Sequence, residues 1–429
     1  MEGLWLQGRS RRPGVGLAGT TQLVAIVLCW LGSGAHASGT TPYTPAPLAS
    51  NRAAETAEPG QPLPGLTQDE RARFEVGRAA FERSHSIAGG LGPVFNDTAC
   101  NRCHNKRGVG GAGIQSARLV GRVDGLSYDP LLGEGGPALA QNTVMLEPAL
   151  EIQRWIPRCP LTRDGEAVPA RANVVARRRT TPLFGLGLVD ATPDATFIEL
   201  ARRQPAAIRG RAPRLPAADR RVVGKLGWKG QAASLHQFSG LALLLELGVT
   251  SPDFSVEQAP FGDAALLAAC DAAPEPEVGA RELAELTDFM RLLAPIAPSG
   301  SDADARAGDA VFTQLGCDGC HTRRLVSGPS PIAALSERSY APFSDFLLHD
   351  MGALGDGIVE GDAGPLEMRT APLWGMRLAG SARLLHDGRA RSFSEAIALH
   401  DGQGASARRA FEAASERTRR ELLAFLSTL

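Results

Sequence analysis

Apolar residues recur at helical spacing in four stretches of the chain. In the first stretch, Phe74, Gly77, Ala80 and Phe81 fall on one helical face. A similar run, Gly308 to Phe312, opens a second stretch much later in the sequence. Two amphipathic stretches follow these openings, at Ala280–Leu293 and Glu416–Leu429. The pattern therefore predicts an opening and a closing helix in each half of the chain.

A chemical motif lies between the opening and the closing helix of each half. The first copy is Cys100-Asn101-Arg102-Cys103-His104, and the second is Cys317-Asp318-Gly319-Cys320-His321. Cys-x-x-Cys-His is typical of covalent c-type haem attachment, in which both thiols bond to the porphyrin and the histidine binds iron. A Cys₄ zinc site or a dithiol redox motif would also use such pairs, but neither explains a histidine after both. We therefore expect two covalent haems, held by Cys100, Cys103, Cys317 and Cys320, with His104 and His321 as proximal iron ligands.

The order of features repeats along the chain. Each motif is followed by Arg-Thr-x-Pro-Leu-aromatic-Gly, at 179–185 and at 369–375. A Pro/Gly/Ser stretch at 294–301 separates the closing helix of one half from the opening helix of the next. We predict a mainly α protein of two cytochrome c-like domains with long loops, at 67–296 and 297–429. The first of these domains carries a large insertion over about 115–275, in which we predict strands at Asn142–Ile152 and Asn173–Ala176.

The N-terminus reads as an export signal. Basic residues precede a short apolar run at 23–31, and Ala35-His36-Ala37 fits a small-x-small cleavage site. The run is too short to span a bilayer, so residues 1–37 are predicted to be a signal peptide for the periplasm, with no stable membrane insertion. Residues 38–66 are rich in Pro, Ala and Thr and are expected to form a flexible lead.

Cysteine count and net charge narrow the picture further. Cys159 and Cys270 remain after the haem cysteines and the signal-segment Cys29 are set aside. In an oxidising compartment they could pair as a disulfide, or they could be two buried thiols. The formal net charge is −1, which gives no general attraction to nucleic acid or to an anionic membrane.

Several further segments carry a family resemblance. The C-terminal half contains Ser344–Gly352, Leu384–Ala390 and Glu395–His400, and the N-terminal half contains Gly90–Asn96 and Gly185–Ala191. Together with the haem motifs, this set resembles the bacterial di-haem oxidoreductases described as peroxidases or thiol oxidoreductases, over about residues 67–429. It is more distantly similar to the di-haem cytochrome c peroxidases. The resemblance implies peroxidase activity.

One position departs from the cytochrome c peroxidase pattern. In those enzymes a methionine directly before His-Asp-Gly closes the electron-transfer haem, and here that position is Leu385. His349 is our preferred replacement as distal ligand, followed by Met351 and then Met376, because His and Met are common haem ligands. The alternatives are Met368, His386 and His400. For the two histidines of Leu-His-Asp-Gly turns, His386 and His400, a structural hydrogen bond is the favoured role.

The distal side of the first haem offers weaker signals. His236 or Gln237 could move a proton between peroxide oxygens, although a solvent-facing position on a helix would explain both. Trp228 and Trp374 could lie between the haems or could simply pack in the core. Glycines 108, 110, 111 and 113 would let the backbone pass close to the haem edge.

Three functions remain compatible with the sequence. The first is reduction of a small molecule such as hydrogen peroxide at the first haem, with electrons passing through the second from a small periplasmic cytochrome or copper protein. The second is non-catalytic electron transfer with both irons closed. The third is oxidation of an organic or protein substrate.

Overall fold

Helices alternate with very short strands along the chain. The computed structural model describes residues 58–146, 154–162, 164–300, 302–379 and 383–429. Its α-helices there are α1 Gln68–Glu82, α2 Cys100–Cys103, α3 Leu186–Asp190, α4 Asp194–Arg203, α5 Leu235–Ala242, α6 Ala264–Cys270, α7 Ala280–Leu292, α8 Ala303–Gln314, α9 Met376–Ala379, α10 Phe393–Ala398, α11 Ala405–Ala413 and α12 Glu416–Leu426. Its strands are β1 Val94–Phe95, β2 Ser116–Asp124, β3 Ser127–Asp129, β4 Ala138–Leu139, β5 Asn142–Thr143, β6 Val174–Arg179, β7 Arg214–Pro216, β8 Arg221–Val223, β9 Leu325–Val326, β10 Ser339–Tyr340, β11 Leu348–Asp350 and β12 Glu367–Arg369. The four predicted helices are confirmed as α1, α7, α8 and α12.

The opening and closing helices of each half cross at a glycine. A Cβ atom added to Gly77 of α1 would lie 2.3 Å from the carbonyl oxygen of Glu285 in α7. At the equivalent position of α8, a Cβ on Gly308 would lie 1.9 Å from the carbonyl oxygen of Glu421 in α12. Only glycine permits so close an approach of two helix backbones. The repeated glycine is therefore a helix-crossing position in both halves.

Each crossing also places an aromatic ring beside a motif histidine. Phe81, one turn after Gly77, lies 4.6 Å from Phe289 and 6.1 Å from His104 between ring centroids. In the second half the Phe312 ring lies 6.5 Å from that of His321. The opening helices therefore support the two histidines in the same way.

The two Arg-Thr-x-Pro-Leu-aromatic-Gly loops pack against each other reciprocally. A Cβ on Gly185 would lie 2.8 Å from the ring of Trp374, and one on Gly375 would lie 3.8 Å from the ring of Phe184. Both glycines have positive φ, 71° and 72°, which side chains disfavour. The final glycine of each loop thus accommodates the aromatic residue of the other.

The insertion contains sheet, which corrects the expected fold class. Strand β2 pairs antiparallel with β3, β4 and β6. The predicted strand at 173–176 is confirmed as β6. Of the predicted strand at 142–152, only Asn142–Thr143 is extended within the described residues. The protein is mixed α and β rather than mainly α, because valine- and arginine-containing segments of the insertion pair as strands instead of forming loops.

The insertion also extends over the second half. The amide of Gln204 donates to the carbonyl oxygen of Gly319, inside the second haem motif, at 2.8 Å. Arg211 and Leu348 exchange backbone hydrogen bonds of 2.9 Å. The insertion therefore packs against the second motif and against the segment that follows it. The division at 296/297 stays a prediction.

A buried ion network joins the sequence halves. Arg178 of β6 lies against Asp356, at 2.8 Å, and against Glu360. Lys229 contacts the other oxygen of Asp356 at 2.8 Å, and its side chain is fully buried. Two cations and two carboxylates thus balance each other, as buried charges require.

The start of the described chain is packed rather than flexible. Leu63 is 2% exposed, and its amide donates to the carbonyl of Leu292 at 2.8 Å. Residues 58–66 of the expected flexible lead therefore pack against the end of α7, while 38–57 and the predicted signal peptide lie outside the described residues. No helix in the described residues is long and apolar enough to cross a membrane.

Cys159 and Cys270 form a disulfide, which confirms the pairing alternative. Their Cα atoms lie 4.6 Å apart and 111 residues apart in sequence. The bond connects α6 to the segment between β5 and β6. It therefore ties together two parts of the insertion that are far apart in sequence.

Replacing both cysteines by serine should lower the free energy of unfolding by about 2–5 kcal/mol, because the disulfide closes a long loop in the unfolded chain. Denaturant unfolding monitored by circular dichroism would measure the change. A mild phosphine reductant should shift the wild-type midpoint in the same direction and leave the double variant unaffected. Equal midpoints for wild type and variant would contradict this prediction.

Candidate functional site

Both haem motifs line one large cavity. Its volume is about 750 Å³. The cysteines and histidines of both motifs contribute to its wall, together with Phe81 and Phe312 from the opening helices. The remaining wall is largely aliphatic and aromatic. One apolar space therefore runs between two sets of haem-binding residues.

The motif histidines share an arrangement suited to iron. Nδ1 of His104 lies 3.2 Å from the carbonyl oxygen of Gly111, and Nδ1 of His321 lies 2.9 Å from that of Phe343. Burial lowers the pKa of each imidazole to about 4, so both rings are neutral at pH 7. A neutral ring that donates from Nδ1 keeps the lone pair of Nε2 for a metal.

The motif cysteines are unpaired and partly buried. Burial raises the pKa of Cys100 and Cys103 to about 12 and that of Cys317 to about 11. A thiol in such an apolar setting is a poor metal thiolate. This setting disfavours the zinc alternative and fits thiols that face an apolar group such as a porphyrin edge.

Arginines on the cavity wall fit the acidic edge of a haem. Arg178, Arg179 and Arg369 all line the cavity. Nη2 of Arg178 and Nε of Arg179 are buried without a hydrogen-bond partner among the described residues. Burial lowers the pKa of Arg369 to about 10. Haem propionates would supply acceptors and negative charge to such donors. The thiols, histidines and arginines of the wall therefore fit the group that the sequence implies.

His349 is held by protein groups on both sides of its ring. Nε2 lies 2.9 Å from Oδ2 of Asp345, and Nδ1 lies 3.7 Å from Sγ of Cys320. Burial has the largest single effect and lowers the pKa of His349, but the hydrogen bonds and charges of Asp345 and Cys320 together outweigh burial and raise that pKa to about 10. A ring engaged in this way offers no lone pair to iron. The ligand assignment of His349 stays a prediction, and the geometry favours the alternative of a hydrogen-bonding histidine.

Unlike His349, His400 resembles the two motif histidines, because its Nδ1 atom faces a backbone carbonyl and Nε2 is left without a protein partner in that contact. Its Nδ1 lies 2.7 Å from the carbonyl oxygen of Ala396, and burial lowers the pKa of the ring. The ring lines the cavity and is close enough to His321 to depress its pKa. Met351, the second candidate, also lines the cavity beside this segment, with its Cε 3.3 Å from the position of a Cβ on Gly404.

The other candidates for the second haem's distal side also lie on the cavity wall. They are Met368, Met376 and His386; Leu385, which occupies the place of the family's methionine, lines the cavity too. His386 is 4% exposed, and its backbone carbonyl accepts from the amide of Arg179. Trp228 and Trp374 line the cavity as well, with Trp228 edge-on to His386 and Trp374 packed 5.8 Å from Tyr340.

His236 and Gln237 lie away from the cavity wall. The side chain of His236 is 43% exposed, and its Nε2 lies 3.1 Å from Asp253. Oε1 of Gln237 accepts from the amide of Ala233. Neither residue lines the cavity, although the next residue, Phe238, does. Their catalytic role stays a prediction, and the structure favours the surface-helix alternative.

Glu246 is an acid on the cavity wall close to the first haem motif, and it was not among the residues predicted from the sequence. A π-helical turn, Leu243–Leu247, directly follows α5 and carries Glu246 to the cavity wall. Nδ2 of Asn96 donates to its carboxyl group at 2.7 Å. Burial raises the pKa of Glu246, and its charge acts on Cys100 and Cys103. The one signal in the sequence was a lone acid within the apolar run Leu241–Leu247.

Comparisons with known proteins agree with this site. A family described as "Di-haem oxidoreductase, putative peroxidase" matches residues 170–429. No curated protein sequence matches the chain. Two solved structures are similar at 14% identity and a TM-score of 0.37. One is hydrazine synthase from Kuenenia stuttgartiensis, covering 96% of this chain and 100% of that chain. The other is a MauG-like protein associated with microbial copper homeostasis, covering 87% and 93%.

TM-scores at this level are too low to carry an argument about fold. The family match is different, because it extends over more than half of the sequence, from strand β6 to the C-terminus, and includes the second haem motif. A family of di-haem proteins also accounts for two motifs facing one cavity. The chain belongs to the di-haem oxidoreductase family.

Proposed function

We propose that the protein binds both haems covalently, through Cys100 and Cys103 in the first motif and Cys317 and Cys320 in the second. His104 and His321 would bind iron through Nε2. The matching carbonyl contacts of the two Nδ1 atoms support this assignment, as do the unpaired thiols on the cavity wall. Covalent attachment and export to the periplasm go together, since c-type haem attachment is expected after translocation.

The reaction that fits best is reduction of hydrogen peroxide at the first haem, with electrons entering through the second. The single observation that carries this proposal is the shared cavity, which brings both motifs to one space. Reduction of peroxide to water consumes two electrons and two protons. The haems, when bound, supply the electrons, and the chain's own side chains must supply the protons. A small periplasmic cytochrome or copper protein would reload them.

Glu246 is the proposed proton carrier at the first haem. Its raised pKa favours a protonated carboxyl at a higher pH than an ordinary glutamate allows. The hydrogen bond from Asn96 holds the carboxyl group in place on the cavity wall. The neighbouring aliphatic residues of the π-helical turn keep bulk water away from it.

His400 would hold the iron of the second haem together with His321. Its Nδ1–carbonyl contact leaves Nε2 unprotonated, as in the motif histidines. A haem closed on both sides suits electron transfer, which leaves the first haem for the substrate. The non-catalytic alternative would require the first haem to be closed as well.

The purified protein should contain two haems per chain that acid acetone does not extract. The reason is that four thiols form thioether bonds in the proposed arrangement. A pyridine haemochrome assay against protein concentration gives the ratio. Cys317→Ala should reduce the ratio to one, whereas Cys159→Ser, at the disulfide, should leave it at two. A ratio of one in the wild type would refute the assignment.

His400→Ala should convert one of the two irons from low spin to high spin. The substitution removes the nitrogen that would close the second haem, and electron paramagnetic resonance and the Soret band report the change. His349→Asn is the matched control, and we expect it to leave the spin state unchanged. If His349→Asn causes the conversion, the ligand is His349. If neither does, Met351 is the next candidate.

Glu246→Gln should slow the reaction with peroxide by ~10²–10⁴-fold, which is the usual contribution of a positioned acid or base. In the wild type the rate should fall as pH rises through the raised pKa of Glu246, because the acid form is lost there. That step should be missing from the profile of the variant. His236→Gln, at a partly exposed position, should react at the wild-type rate. Stopped-flow mixing with peroxide over a range of pH measures both variants.

An iron pair that stays low-spin in every redox state and is inert to peroxide would make the protein an electron carrier. If His236→Gln reacts slowly with peroxide while Glu246→Gln reacts at the wild-type rate, His236 is the proton carrier, as the sequence suggested. In either case haem stoichiometry is the control, since both variants must still carry two haems.

A further inference from the structure

Three glutamates meet at a second site, in the segment between the π-helical turn and α7. Carboxylate oxygens of Glu257, Glu275 and Glu277 all lie within 4.8 Å of one another. None of the three residues lines the haem cavity. The haem chemistry therefore does not explain why they converge.

Glu257 is the most unusual member of the group. It is 8% exposed, and both of its carboxylate oxygens are buried without a hydrogen-bond partner in the described part of the chain. The charged groups that act on it are all acidic: Asp271, Glu275 and Glu277. A buried carboxylate is normally compensated by a cation or by several hydrogen-bond donors. Here the neighbouring groups are negative as well, so they increase the electrostatic cost of a charge on Glu257.

Thr250 does not compensate the cluster. Its backbone amide donates to Oε2 of Glu277 at 2.7 Å, which satisfies one oxygen. Its hydroxyl group contacts both Glu275 and Glu277. A hydroxyl has one hydrogen, so it can donate to only one of the two carboxylates. The remaining oxygen of Glu277, Oε1, is also buried and unpartnered.

Protons or a metal ion could relieve this repulsion. Burial, reinforced by the neighbouring carboxylates, raises the pKa of Glu257 to about 9 and that of Glu275 to about 7. A proton on Glu257 would still leave its hydroxyl without an acceptor in reach other than another carboxylate. A divalent cation could contact all three carboxylates at once, which no single proton can do.

We propose that Glu257, Glu275 and Glu277, with the hydroxyl oxygen of Thr250, form a binding site for a calcium ion. All the donors are oxygens, which excludes the nitrogen and sulfur ligands that zinc or copper prefers. Ca²⁺ accepts several carboxylates in irregular geometry, whereas Mg²⁺ demands a near-ideal octahedron and retains water. The assignment is independent of the haem function proposed above.

The site is placed to brace the loop that precedes the first haem motif. A Cβ on Gly92 would lie 2.7 Å from Oε1 of Glu257, and one on Gly90 would lie 2.4 Å from Cβ of Glu277. The amide of Gly92 donates to the carbonyl of Leu247 at 3.1 Å, at the end of the π-helical turn. The loop at 90–92 thus rests on the cluster, and only glycine fits against the two glutamates. A bound ion would hold this contact in place.

The experiment is a calcium titration of the full-length holoprotein after removal of metals with EGTA. Isothermal titration calorimetry with CaCl₂ should show one site per chain, and thermal unfolding should shift upward by several degrees when Ca²⁺ is present. Glu257→Gln should weaken binding at least ~100-fold, because affinity follows the number of charged ligands. Glu75→Gln, at an exposed position of α1, should bind like the wild type.

The metal-free proteins give a second comparison. Without Ca²⁺, Glu257→Gln should unfold at or above the wild-type temperature, since it removes a repelled buried charge. With Ca²⁺, the order should reverse. If Glu257→Gln does not fold, Glu275→Gln at the exposed edge of the cluster serves the same purpose.

Three results would overturn the proposal. The first is an absence of any heat of binding or thermal shift with CaCl₂ in the wild type, which would mean that protons neutralise the cluster. The second is a response to MgCl₂ alone. The third is a wild-type calcium response in both Glu257→Gln and Glu275→Gln.

Discussion

The close crossing of two helices at a glycine is the constraint on which both halves depend. At Gly77 and at Gly308 a helix backbone approaches its partner more closely than any side chain would permit. The crossing fixes the direction of the opening helix. The aromatic residue one turn after the glycine therefore lies beside the motif histidine. The position of each motif histidine thus depends on a residue that has no side chain. Any larger residue at either glycine would separate the helices and move the histidine's support.

The parts of the fold that could be predicted are those governed by local pattern. Helical spacing of apolar residues located α1, α7, α8 and α12, because an amphipathic helix is defined by its own sequence. The Cys-x-x-Cys-His motifs could be interpreted as haem-binding from the sequence alone, since their residues are adjacent in the chain. Counting cysteines was enough to make the disulfide between Cys159 and Cys270 one of two alternatives.

Long-range relations were not accessible in this way. His349 has the right residue type beside the right segment, but Asp345, four residues earlier, and Cys320 engage both ring nitrogens. Glu246 was overlooked because an acid in an apolar run has no partner visible in the sequence, whereas Asn96 is 150 residues away. Gln204 of the insertion hydrogen-bonds the backbone of the second motif, and nothing local in the sequence encodes that contact.

The disulfide has a consequence for how the chain matures. Residues 38–429 contain six cysteines, and the covalent haem attachment that we propose would need four of them as free thiols. Cys270 is 1% exposed and is joined to Cys159 within the fold of the insertion, so it is withdrawn from exchange with the other thiols once that region has folded. Thiol exchange needs an accessible attacking sulfur. By burying this disulfide, the insertion would separate the two cysteines that oxidise from the four that must stay reduced until they react with haem.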